Sequence, residues 1–76
     1  MKFVDFNPKE LKVSNRYGNI VHDLGKSCEL KVCQVGQGLV FTTKDSTTKT
    51  SEVISIDETF SYILVETQNS FYAFEK

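Results

Sequence analysis

The residues best suited to hold a ligand are hydroxyls and lysines. Between positions 42 and 51, seven of ten residues are Ser or Thr, and Lys44 and Lys49 stand among them. Hydroxyls donate and accept, and a lysine ammonium donates in three directions, so together they suit a phosphate without needing a helix terminus. This run ends on Thr50-Ser51. A second polar group follows at Thr67, Asn69 and Ser70, with Tyr72 close behind. An aromatic ring near such groups offers a stacking surface for a base. Lys44, Lys49, Thr50, Ser51, Thr67, Asn69, Ser70 and Tyr72 are therefore the candidate ligand-binding residues. The competing explanation is local: Ser and Thr keep a loop wet, Asn69-Ser70 sets a turn, and Tyr72 belongs to the core.

Other chemistry is less well supplied. His22, Cys28 and Cys33 are three possible metal ligands, but no Cys-x-x-Cys spacing accompanies them and no fourth ligand stands nearby. A structural histidine and two core cysteines explain them, and no metal is expected. Gly36-Gln37-Gly38 opens like a dinucleotide fingerprint but lacks the third glycine and the following helix. It is better suited to a hairpin. Nucleophilic catalysis needs a base beside a Ser or Cys, and His22, the only histidine, has no nucleophile motif around it. Asp57-Glu58 falls at an expected turn. The expectation is a protein that is not an enzyme and carries no cofactor.

The elements that must position these residues are short strands. Phe3 and Phe6 anchor a weakly alternating N-terminus. Asn7-Pro8-Lys9-Glu10 predicts a short helical turn, with Asn7 as cap, Pro8 at the first helical position and Glu10 as the capping acid, pinned by Leu11 and Val13. Residues 14–19 are turn formers, Tyr17 among them, and Ile20-Val21-His22 predicts a brief strand or packing corner. From Cys28 the alternation is clear: Cys28, Leu30 and Val32 on one face, Glu29 and Lys31 on the other. Their odd spacing on a straight strand keeps Cys28 and Cys33 from bridging each other.

After the Gly36–Gly38 reversal a strand over residues 39–43 is expected, then a polar loop over 42–51, then strands on either side of a turn at Asp57-Glu58-Thr59. Asn69-Ser70 marks a final turn. Five or six strands with short connections and one short N-terminal helical turn predict an all-β fold. The expected form is a small SH3-like or OB-like barrel, or a sandwich, in a single domain over 1–76.

A chain of 76 residues with 39% hydrophobic side chains builds a thin core, and small domains often gain stability by assembling. Tyr62 and Leu64 are apolar opposite Ile63 and Val65, and residues 71–74 are apolar on both strand faces. A half-exposed strand has a polar second face, so this pattern predicts a homo-oligomer. Residues 1–49 hold eight Lys or Arg against five Asp or Glu, while residues 50–76 hold five acids against Lys76 alone. With net charge −1 there is no global case for nucleic acid or a membrane surface. No run is apolar enough to cross a bilayer, no export signal is visible, and a cytoplasmic location is expected.

The pattern Thr50-Ser51-x-Val53, followed by Val65-x-Thr67-x-Asn69-Ser70-x-Tyr72-x-Phe74, resembles that of small uncharacterised β-proteins of phages and mobile elements. It covers about a third of the chain. The resemblance implies a compact accessory protein acting in the host cytoplasm against host defences. Such a protein works by sequestering a nucleotide signal or by occupying an immune protein. The first expectation is therefore a binding protein that holds a cyclic-nucleotide or ADP-ribose-type signal between protomers. The second is an interaction module that blocks a host defence protein through a strand edge or an aromatic face. The third, a nucleic-acid binder, is opposed by the acidic C-terminal third.

Overall fold

The computed structural model describes residues 1–10 and 20–76. Six antiparallel strands form one curled, half-barrel sheet. They are β1 (Lys2–Pro8), β2 (Glu29–Val32), β3 (Gly38–Thr42), β4 (Thr47–Glu58), β5 (Tyr62–Thr67) and β6 (Ser70–Glu75), arranged in the order β1-β6-β5-β4-β3-β2. Strands β2 to β6 meander, and β1 pairs with the last of them. The 12-residue β4 serves both halves, pairing with β3 through its first part and with β5 through its second. The all-β expectation holds.

Bulges explain how an imperfect alternation builds one core. Register shifts between Phe3 and Asp5, so Val4 is an extra residue and Phe3 and Phe6, three apart, are both buried. The same device at Ile54 turns Val53 and Ile56 toward the core while Ile54 stays exposed. An extra residue bends its strand and increases the local twist, which is what a curled sheet needs. The concave side is filled by rings. Phe3, Phe41 and Phe74 are fully buried, with Tyr72 and Phe6 beside them, and ring centroids lie 5.0 to 6.2 Å apart. Aliphatic Leu39, Val53, Ile63 and Val65 complete the core.

The rolled sheet meets itself at one seam. Lys2 bridges to Ser27, Phe3 N donates to Lys26 O (3.0 Å), Gly25 N to Phe3 O (2.7 Å) and Cys28 N to Met1 O (2.9 Å). A helical turn over residues 20–22 leads into the seam and buries Ile20. The buried Asp23 carboxylate accepts from Ser46 Oγ (2.8 Å) and pairs with Lys26 Nζ (3.3 Å), tying that turn to the β3–β4 connection.

Several local expectations are corrected. Asn7 and Pro8 belong to β1, opposite Phe71 and Ser70, and form no helical cap. Sheet pairing outweighs capping chemistry here because an edge strand tolerates the missing proline N–H. The helical turn falls instead at residues 20–22. The expected polar loop over 42–51 shrinks to residues 43–46, since Thr47 already begins β4 and alternates in exposure along it. Threonine is a strand former wherever a neighbour offers pairing. Asp57 and Glu58 also lie on β4, opposite Leu64 and Ile63, and the turn follows at residues 59–61, where Tyr62 N donates to Thr59 Oγ1 (3.0 Å). The expectations for Leu11, Val13 and residues 14–19 lie outside the described residues. Among those described, no helix is long and apolar enough to cross a membrane.

Candidate functional site

The structure brings most of the candidate polar residues to one end of the sheet and engages their hydroxyls with backbone. Thr67 is fully buried at the β5–β6 turn. Its Oγ1 accepts from Ser70 N (3.1 Å) and Asn69 N (3.4 Å) and donates to Ser70 O (3.2 Å). Asn69 N also donates to Ser51 Oγ (3.3 Å), Gln68 N to Glu52 O (3.0 Å) and Lys9 N to Asn69 O (2.8 Å). Thr50 Oγ1 accepts from Leu39 N (3.1 Å) and donates to Ser51 O (2.7 Å). Ser51, Thr67 and Asn69 thus lock the turn against β4 and the segment after β1, while Thr50 ties β4 to β3. Ser70 Oγ is buried and makes no hydrogen bond among the described residues. The Tyr72 ring lies within the aromatic core, stacked 6.2 Å from Phe3.

The two lysines stand elsewhere. Lys49 is exposed on β4, opposite Val40. Lys44 is exposed on the β3–β4 turn and borders a hollow of about 430 Å³ with Ser27, Glu29, Thr42 and Thr43. That turn is held by its own hydroxyls, Thr43 Oγ1 accepting from Ser46 N (3.2 Å).

The outer face of β4, β5, β6 and β1 carries a different arrangement. Register places Asp57, Leu64, Ala73 and Asp5 side by side across the four strands, with Ser55, Glu66, Phe71 and Asn7 in the next row. Their side chains line a groove of about 260 Å³. Its floor is apolar, with Leu64 42% and Phe71 45% exposed. Lys9 Nζ lies 2.6 Å from Glu66 Oε2 and 5.2 Å from the Phe71 ring centroid, forming one wall. The Asp5 carboxylate accepts from Phe6 N (2.9 Å) and Asn7 Nδ2 (3.1 Å), both uncharged donors. The Asp57 carboxylate is exposed and has no ion pair among the described residues. Along β5 the apolar surface continues through Tyr62 to Phe60, which projects from the turn at 98% exposure.

Sequence reasoning found the apolar half of this face, because Tyr62, Leu64 and Phe71 occupy strand positions where polar residues are expected. It missed the acidic half. Asp5 lies 52 residues before Asp57, and Glu66 sits nine residues after it on the next strand, so the three meet only through register, which two bulges shift.

Elsewhere the chemistry is quiet. Burial raises the Cys28 thiol pKa, offset in part by the N-terminal ammonium, and raises that of Cys33, helped by the Glu58 charge. Both thiols are free and stay protonated further into the alkaline range than an ordinary cysteine. Among the described residues no group of three His, Cys, Asp or Glu is placed to hold a metal ion. What the outer face can do is remove apolar surface from water and attract positive charge.

No protein-family model, curated protein sequence or solved structure matches this chain.

Proposed function

We infer that the chain is a non-enzymatic binding module that occupies another protein through the outer face of β4, β5, β6 and β1. The observation that carries this reading is the half-exposed pair Leu64 and Phe71 at the centre of a four-stranded face, ringed by polar and charged side chains. An apolar centre with a polar rim is how protein interfaces are built, and the few side chains at such a centre carry most of the binding energy. Covering what remains exposed of each would contribute about 1 kcal/mol from apolar area. In the setting implied by the resemblance to phage accessory proteins, the partner is a host defence protein and the effect is blockade.

A photo-reactive phenylalanine analogue placed at Phe71, with Lys31 on β2 as the control position, tests the reading. The expected result is one host protein joined to the protein labelled at 71 and not to that labelled at 31. Once purified, that protein should lose at least about tenfold in affinity for a Leu64→Asp variant whose circular dichroism is unchanged. Equal labelling at both positions, or unaltered affinity for the variant, would sink the idea.

A second reading has its own support. Lys44, Ser27, Thr42 and Thr43 around a hollow supply an ammonium and hydroxyls suited to a phosphorylated ligand. Sequestration of a nucleotide-derived signal there, between copies of the chain, predicts saturable heat on titration with cyclic oligonucleotides or ADP-ribose, lost in Lys44→Ala. Absence of heat across that panel removes it.

A further inference from the structure

We propose that the groove on the outer face takes an extended segment of its partner in which lysine or arginine, an apolar residue, and a second lysine or arginine alternate with any residue between. The proposal rests on the protein-binding reading and names the chemistry of the partner.

The row Asp57–Leu64–Ala73–Asp5 crosses the four strands of this face. Each end is a carboxylate and the middle is apolar. Strands lie about 4.8 Å apart, so the two acidic ends are separated by three spacings, about 14 Å. An extended chain rises about 3.3 Å per residue and sends every second side chain to the same side. Residues at positions one, three and five of such a segment therefore share a face and span about 13 Å. A segment crossing the strands sets its central side chain over Leu64 and Ala73 and its flanking cations over Asp57 and Asp5. Phe71 and the Lys9–Glu66 pair wall one side, which fixes where the segment lies.

Charge decides the occupant. Neither Asp5 nor Asp57 is matched to a cation among the described residues, while the third acid of the groove, Glu66, already holds Lys9. Two copies of the chain meeting through this face would bring acidic rims together, and like charges in contact disfavour association. A cationic segment gains at both ends, and an acidic or phosphorylated one is repelled.

The probes are three capped heptapeptides with alternate positions Lys-Leu-Lys, Glu-Leu-Glu and Lys-Ser-Lys, titrated by fluorescence anisotropy against the intact protein. The Lys-Leu-Lys peptide should bind at least about tenfold more tightly than either other peptide, and more weakly as salt screens the pair of charges. Asp57→Asn and Asp5→Asn should each reduce its affinity by about three- to tenfold, with the melting profile checking that each variant is folded. Equal binding of Lys-Leu-Lys and Glu-Leu-Glu, or indifference to both Asn variants, overturns the proposal, as does failure of all three to bind. If cross-linking at position 71 still captures a specific protein in that event, the partner chemistry is wrong and the binding-module reading stands.

Discussion

Thr67 and Ser70 stand three residues apart with both hydroxyls buried, and they should answer oppositely to removal. Thr67 Oγ1 serves three backbone groups at once, so Thr67→Val keeps the shape and strands those groups. Leaving a buried donor unsatisfied costs about 1–3 kcal/mol, which for a domain of this size moves the melting point by several degrees. Ser70 Oγ makes no hydrogen bond among the described residues. Ser70→Ala should be neutral or mildly stabilising, within about 0.5 kcal/mol, because it removes a buried hydroxyl and leaves only a small void. Urea denaturation of the two variants beside the parent protein checks the pair, and a large loss in S70A would contradict it. These residues also show what was legible at this scale. That Asn69 and Ser70 mark a turn was readable from their types. That Thr67 rather than Asn69 is the one holding it was not, since burial and bond direction are set by packing.

The cysteines give a second prediction from single residues. Both thiols have raised pKa values, chiefly from burial. A group whose folded pKa is raised contributes its full share of stability below its unfolded value and loses it as pH climbs through the folded one. Stability should therefore decline in the alkaline range beyond ordinary thiol ionisation. A Cys28→Val, Cys33→Ala variant should flatten that decline in denaturation curves taken at increasing pH. An unchanged slope in this variant would assign the decline to other groups.

At the level of elements, Gly36 in the β2–β3 connection and Gly38 at the start of β3 do different work. Gly36 has φ +91°, a left-handed backbone, with open space around it. Gly38 has no such backbone. A Cβ there would stand 2.7 Å from the Thr50 carbonyl oxygen. Gly36→Ala should cost about 1–2 kcal/mol through backbone strain alone. Gly38→Ala should cost about 1–3 kcal/mol by pushing β4 away from β3, and it alone should loosen the Leu39 N to Thr50 Oγ1 bond. Amide exchange at Leu39 separates the two, faster in G38A and unchanged in G36A. The run Gly-Gln-Gly announced a reversal plainly. Which glycine turned the chain and which made room could not be seen without β4 beside it. Strand count and class were legible for the same reason the turns were: apolar runs and turn formers are local signals. Strand ends were not, because Thr47, Asp57 and Glu58 are strand residues only where a neighbour receives their backbone bonds.

The whole molecule is compact, its Cα radius of gyration of 11.3 Å matching the roughly 11 Å expected for its length. The five acids of the final third all lie on β4, β5 and β6. Of its two edge strands, β1 and β2, the second is only four residues long, each is interrupted by a bulge, and the two are joined at one end by the Lys2–Ser27 seam. Pro8 takes a donor from one edge, and an exposed Glu29–Lys31 pair sits on the other. Those are the features by which sheets avoid templating one another into fibrils. The protein should therefore stay dispersed at high concentration despite its exposed Phe60 and Tyr62. Replacing Pro8 with Val and both Glu29 and Lys31 with Thr should make it nucleate thioflavin-positive aggregates, and a triple variant that stays clear would show that the seam alone keeps the edges from polymerising.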